Sequence, residues 1–168
     1  MRGIMIHPHD ANTATTWYFG YGSNIRSASM AKRQIRPLQA HAVVVPSYML
    51  TFDIFGIPYA EPSFASISPY LHSEEKKERT VPAVHGMAYL LTQADYHRLI
   101  LSEGSGVGYD EIQVEAFLLS DQSEQKNAIH VHTLKAKYPF RPNRAPSLRY
   151  MVSMVPLPDL KINANDER

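Results

Sequence analysis

The stretch Tyr18-Phe19-Gly20-Tyr21-Gly22-Ser23-Asn24-Ile25 decides how this chain is read. An aromatic strand pattern runs into two glycines, which permit backbone conformations closed to other residues, and then into Ser and Asn, both good helix N-caps. Strand, turn and helix start therefore follow one another directly. Peptide N–H groups left free at such a turn, aligned with a helix dipole, make a site for a carboxylate, a phosphate or a developing oxyanion. An ordinary strand-to-helix turn would carry the same residues without that use.

Outward from this stretch, alternation with β-branched and aromatic enrichment predicts strands over 17–21, 41–55, 64–70, 84–91, 110–119 and 129–134. Pro46 lies within the second of these, so that strand is broken or sits at an edge. The segment 24–35 lacks Gly and Pro and carries Ile25, Met30 and Ile35, which predicts a short helix after the first strand. A second helix is predicted over 93–102. There Thr92 and Asp95 have the spacing of a capping box, Gly104 stands where a helix would stop, and Tyr96, Leu99 and Ile100 share one face. Strands dominate and do not alternate regularly with helices, so the class is α+β with a curled sheet rather than a doubly wound fold. Residues 16–160 read as one domain between a loosely held N-terminal tail, 1–15, and a polar C-terminal tail, 161–168. Residues 73–80, rich in Glu, Lys and Arg, read as a solvated connection.

The 168 residues carry 17 Lys and Arg against 16 Asp and Glu, a net charge of +1. That balance lacks the basic excess that a nucleic-acid or anionic-membrane binder needs to release counterions, so neither partner is expected. The absence of cysteine excludes a disulfide framework, a thiolate zinc site and a cysteine nucleophile together. No apolar run approaches a membrane span, and the apolar piece at 3–6 is too short for a signal-peptide core, so the expected location is cytoplasmic.

A second chemical constellation is Glu103-Gly104-Ser105-Gly106-Val107-Gly108-Tyr109. A carboxylate at the C-terminal end of an apolar helix meets the negative end of the dipole. When such a group is also buried it can take and return a proton near neutrality, which contributes roughly 10² to 10⁴ in rate. A solvated helix-end residue is the plainer reading of Glu103. The glycines lack the Lys-Ser/Thr of a P-loop and the spacing of a dinucleotide fingerprint. His130 and His132, and likewise His7 and His9, have a spacing that metals use, but no third ligand matches either pair, so no metal site is expected. No Gly-x-Ser-x-Gly elbow occurs, which leaves Ser23 as a binding or capping residue rather than a nucleophile.

Taken together, Tyr21-Gly22-Ser23-Asn24 after an aromatic strand, Glu103-Gly104 with Tyr109 entering a strand, and the late segment Ala145-Pro146-Ser147-Leu148-Arg149-Tyr150 resemble the γ-glutamylcyclotransferase family over residues 17–150. The resemblance implies a curled mixed sheet close to a barrel, with a pocket beside the Tyr-Gly-Ser-Asn loop, and a reaction needing neither metal nor cofactor. In that reaction the free α-amine of a γ-glutamyl group attacks its own γ-carbonyl, closes a five-membered lactam and expels an amine, giving 5-oxoproline. It further implies that Glu103 is the catalytic acid-base, that Tyr21, Gly22, Ser23 and Asn24 cradle the glutamyl part, and that Tyr109 and Tyr150 line the pocket. The partner is then a small γ-glutamyl substrate.

The chemistry is consistent with these residue types. Nucleophile and electrophile belong to one molecule, so holding the folded-back conformer is the main task; oriented intramolecular reactions reach effective molarities of about 10⁵ to 10⁸ M. An α-amine of pKa about 7.7 to 8.0 is mostly protonated at pH 7, and the departing amine needs a proton, so one carboxylate can serve both steps. Asn24 resembles the branch acting on γ-glutamyl amino acids. The family continues as a helix after the position of Tyr150, whereas here Pro156 and Pro158 interrupt the chain. Some relatives with unusual tails trim glutathione adducts in the synthesis of sulfur-containing natural products. A non-catalytic module binding amino acids or peptides on the same fold is the competing expectation. The leaving amine and the oligomeric state are not fixed by the sequence.

Overall fold

A computed structural model describes residues 14–57, 59–71, 81–103, 106–120 and 127–154. The expectations for residues 1–13, the charged connection at 73–80, Gly104, His7, His9, Pro156, Pro158 and the C-terminal tail lie outside the described residues.

Five strands close a barrel: β1 (Thr15–Gly20), β2 (Gln39–Val45), β5 (Val84–Thr92), β6 (Tyr109–Leu118) and β7 (Ala128–Ala136), in the spatial order β1-β5-β2-β6-β7. All neighbours are antiparallel except β1 and β7, which run parallel and meet at Tyr18 and His132. Thr133 Oγ1 reinforces that closing seam by donating to the Phe19 carbonyl at 2.8 Å. The α+β class with a barrel-like core follows directly from this closure.

The segment 41–55, expected to be broken or at an edge because of Pro46, is broken into two strands. Pro46 has no N–H to give to a ladder, and a turn at Pro46-Ser47 ends β2 and starts β3 (Tyr48–Ile57). β3 leaves the barrel and pairs with β4 (Glu61–Pro69) as a separate two-stranded ribbon, irregular between Thr51 and Ile54. Ser66 ties the ribbon to the barrel by accepting from the Ala136 N–H at 2.8 Å.

Both faces of the barrel wall carry buried side chains. Phe19, Val43, Val45, Ala88, Val114, Ala116 and Val131 pack with Ala65 and Ile67 of the ribbon, whereas Tyr18, Tyr89, Leu91 and Leu134 pack with Met30 and Ile35 and with Tyr96, Leu99 and Ile100. Tyr18 and Phe19 are adjacent in β1 and so point to opposite faces, as the strand period requires. Burying a side chain the size of Phe19 contributes about 1.5–3 kcal/mol.

β5 approaches β1 closely enough that a Cβ on Gly86 would lie 2.4 Å from the Gly20 carbonyl oxygen and 2.6 Å from the Phe19 ring. Gly86→Ala is therefore expected to destabilise the fold by about 1–3 kcal/mol, since neither the backbone nor the fully buried ring can yield. Thermal denaturation measures it, and an unchanged midpoint would show that the seam is more deformable than this packing implies.

Helix α2 (Gln93–Ser102) forms as its sequence requires. Thr92 caps it, with Oγ1 accepting from the Asp95 N–H at 3.2 Å, and Tyr96, Leu99 and Ile100 are its buried residues. The helix expected over 24–35 is instead broken. Ser23–Ile25 form a single 3-10 turn, Arg26 is extended, and helix α1 spans only Ser27–Lys32 before Gln34 takes a positive φ of 58°. Ser23 and Asn24 lie inside the turn and do not cap it by side-chain bonds. The physical reason is that the buried Asn24 side chain is engaged elsewhere, with Tyr18 and Arg33. A third helix, α3 (Leu148–Met154), carries Tyr150 and continues past it. No helix among the described residues is long and apolar enough to cross a membrane.

Candidate active site

The end of β1, the 3-10 turn, the C-terminal end of α2, the start of β6 and helix α3 converge on one cavity of about 300 Å3, a volume that includes its open mouth. It is lined by Tyr21, Gly22, Ser23, Asn24, Glu103, Tyr109 and Tyr150, which are the residues singled out from the sequence, together with Tyr18, Ala65 and Leu134. Residues separated by as much as 132 positions, from Tyr18 to Tyr150, thus share one wall.

The turn supplies hydrogen-bond donors. Ile25 N–H is spent on the Gly22 carbonyl at 3.0 Å, but the N–H groups of Gly22, Ser23 and Asn24 have no backbone partner among the described residues. Tyr89 fixes the end of the turn, its hydroxyl donating to the Ile25 carbonyl at 2.9 Å. Gly22 matters through its missing side chain, because a Cβ there would stand 3.4 Å from the Tyr150 hydroxyl, on the cavity side.

Glu103 is the C-cap of α2, its N–H donating to the Leu99 carbonyl at 3.1 Å. Its side chain is 18% exposed, so it stands at the cavity edge rather than in bulk water. Arg33 Nη2 donates to Glu103 Oε1, while Arg33 Nη1 donates to Asn24 Oδ1 at 2.8 Å. Asn24 Nδ2 donates in turn to the buried Tyr18 hydroxyl at 3.2 Å. One guanidinium therefore fixes both the acid and the turn, in the fork geometry that arginine provides and lysine does not. Arg33 and Tyr18 escaped the sequence reading. Arg33 lay in a segment expected to be plain helix, and nothing local marks a partner 70 positions away.

The tyrosines are held as donors. Tyr21 donates to the Leu134 carbonyl and Tyr109 to the Ala65 carbonyl, the latter at 3.3 Å. Tyr150 accepts from the Ala65 N–H at 3.2 Å, which leaves its own proton to donate. Burial raises the pKa of Tyr18, Tyr21, Tyr109 and Tyr150, and the Glu103 charge adds to the rise for Tyr18, Tyr109 and Tyr150. All four stay neutral hydroxyls at physiological pH.

Tyr150 reaches the cavity because α3 is anchored at its start. Ser147 caps the helix, its Oγ accepting from the Tyr150 N–H at 3.1 Å, and Ser147 is itself held by the buried Glu61 carboxylate through its N–H at 2.9 Å and its hydroxyl at 2.6 Å. The ring of Phe64 meets that of Tyr150 edge-on, with centroids 5.5 Å apart. Burial alone would push the Glu61 carboxyl up, but the two bonds from Ser147 and the nearby Arg149 outweigh it and hold the group below its ordinary value of 4.5.

His132 Nδ1 lies 2.9 Å from Glu111 Oε1, which also accepts from the Tyr96 hydroxyl, so its ring nitrogen is engaged on the barrel wall. No cluster of three or more His, Cys, Asp or Glu residues able to hold a metal occurs among the described residues.

The chain is 46% identical over 151 residues to the γ-glutamyl cyclotransferase verK of Clonostachys rogersoniana, with 84% of each chain covered. It is 50% identical over 147 residues to the γ-glutamyl cyclotransferase gliK of Aspergillus fumigatus, covering 80% of this chain and 53% of that protein, so it spans about half the length of that relative. A solved γ-glutamyl cyclotransferase structure superposes with a TM-score of 0.63 over 84% of this chain and 76% of its own, at 16% identity, which is a likeness of fold. No protein-family model matches the chain. Sequence relationship, barrel topology and the convergence of the turn with Glu103 lead to one conclusion: the chain belongs to the γ-glutamyl cyclotransferase family.

Proposed function

We propose that this protein converts a γ-glutamyl amine into 5-oxoproline and the free amine. The observation that carries the proposal is the meeting of Glu103 with peptide N–H groups of the Gly22–Asn24 turn that have no backbone partner among the described residues, around one small polar cavity. A γ-glutamyl head has an α-carboxylate, an α-ammonium and an amide carbonyl. The N–H groups of the turn suit the carboxylate, and Glu103 suits the ammonium.

Glu103 takes a proton from the α-ammonium, and the freed amine attacks the γ-carbonyl carbon. Developing negative charge on that oxygen is met by neutral hydroxyl donors, of which Tyr150 has an uncommitted proton. The new C–N bond closes the lactam, and Glu103 hands its first proton to the departing nitrogen as the old C–N bond breaks. It then relays the second proton of the attacking nitrogen to the freed amine, which leaves as an ammonium while the lactam keeps one N–H and the carboxylate ends as it began. The leaving amine is an amino acid, a peptide or a glutathione-derived conjugate. Handling of such conjugates in the synthesis of a sulfur-containing natural product belongs to the same proposal.

The test is incubation with γ-glutamyl dipeptides, glutathione and a glutathione S-conjugate, with 5-oxoproline measured by mass spectrometry. Its formation from at least one supports the reading. Ligand binding without product from any of them would favour the non-catalytic module instead.

Arg33 acts in this scheme as a positioning residue. Arg33→Gln is expected to lower kcat by about 10²-fold, the effect of letting a reacting group drift by an ångström, with a much smaller change in KM. Arg33→Lys should recover only part of the loss, because one ammonium cannot hold both Glu103 and Asn24 in the same geometry. Full activity in either variant would remove Arg33 from the scheme.

A further inference from the structure

Beyond the Ser23 and Tyr150 wall of the cavity lies a second, larger hollow of about 770 Å3, open volume included. Ser23 and Tyr150 line both spaces. The rest of the second hollow is formed by Ile57, Ala60, Glu61 and Phe64 on the ribbon and by Arg149 and Ser153 on α3.

The first cavity is small and polar, so if it holds the glutamyl head, as the cyclisation reading has it, the amine to which that head is attached must leave it on one side. A competing hollow adjoins Tyr21, between Ile25, Leu50, His85 and Met154. Tyr21 stands between that space and the cavity as a buried side chain whose hydroxyl is committed to the Leu134 carbonyl. On the Tyr150 side the dividing residues are a serine and a tyrosine hydroxyl facing a glycine.

The chemistry of the Tyr150-side hollow is mixed in an informative way. Ile57 is 63% exposed, an apolar residue offered to solvent at the rim. The Arg149 side chain is 82% exposed and stands 3.6 Å from Glu61 Oε2. Both Glu61 oxygens are already engaged at shorter distance by Ser147, so the guanidinium retains donors for an incoming anion.

We infer that this hollow receives the leaving half of the substrate and selects an amine bearing both a bulky apolar side chain, against Ile57 and Phe64, and a free carboxylate, at Arg149. The inference rests on the cyclisation reading for the reaction, but the recognition it describes can be measured without turnover.

The experiment compares γ-glutamyl-phenylalanine, γ-glutamyl-phenylalanine amide and γ-glutamyl-glycine. The expected order of kcat/KM places the free acid above its amide by about three- to fivefold, the range of one exposed ion pair. It places phenylalanine above glycine by about tenfold. Arg149→Gln should collapse the acid-to-amide ratio toward unity, and Ile57→Asp, at an exposed rim position, should shrink the phenylalanine-to-glycine ratio. Dissociation constants for the same three compounds on Glu103→Gln, alone and combined with each rim variant, carry the comparison independently of catalysis. Equal values for all three compounds, or ratios untouched by both rim variants, would overturn the subsite. Discrimination in binding with no 5-oxoproline from the parent protein would overturn the cyclisation reading and leave the subsite standing.

Discussion

Glu103→Gln is expected to lower kcat by about 10² to 10⁴, the contribution of a positioned acid-base group, while 5-oxoproline binds within a few-fold of the parent affinity. The amide has nearly the shape of the carboxylate and can still accept from Arg33, so the cavity and its N–H donors persist. What the amide cannot do is accept the ammonium proton or hand it to the departing nitrogen. Initial rates of 5-oxoproline release and a calorimetric titration with 5-oxoproline separate the two effects. A rate within tenfold of the parent would assign proton transfer to another group.

Glu61→Ala is expected to destabilise the protein by about 2–4 kcal/mol, because it leaves the Ser147 N–H and hydroxyl without the carboxylate that accepts from both. For a chain of this length that corresponds to a fall in Tm of about 5–15 °C. Activity should fall further than stability alone explains, since the start of α3 sets where the Tyr150 hydroxyl stands. The pH dependence carries a second signature. The folded carboxyl of Glu61 titrates below its ordinary 4.5, so its contribution is complete above that value and disappears as the pH falls through the lower, folded one. The parent protein should therefore lose stability on acidification below about pH 4.5, and Glu61→Gln should lose less over the same interval. Parallel curves for the two proteins would show that the group is not held as described.

Features fixed by neighbouring residues were legible in the sequence. Thr92 does cap α2, accepting from the Asp95 N–H, although the Asp95 side chain turns to Arg98; Tyr96, Leu99 and Ile100 do form its buried face; and Pro46 does end a strand. The turn at Gly22 and the acid at Glu103 were each ambiguous alone, and it was their order along the chain together with the late Pro146-Ser147 segment that made them readable as one site. Long-range partners left no local trace. Arg33 looks like any helical arginine until the fold sets it against Glu103, and Glu61 looks like an ordinary strand-end acid until Ser147 is brought to it from 86 positions away. The helix expected over 24–35 failed for the same reason: Asn24 bonds to Tyr18 and Arg33 instead of capping, so local propensity yields to a tertiary network.

The placing of β1 between β5 and β7 has a consequence for how the molecule is made. A nascent chain emerging from the ribosome exposes its earliest described strand long before either neighbour exists, because the closing partner spans Ala128–Ala136. Until then Tyr18 and Phe19 can ladder on one edge at most, with β5, and the barrel cannot shut. Refolding from denaturant is accordingly expected to be slow for a protein of this size, on the order of milliseconds to seconds. Chains truncated ahead of Ala128 should be caught by chaperones or aggregate rather than accumulate as a partial barrel.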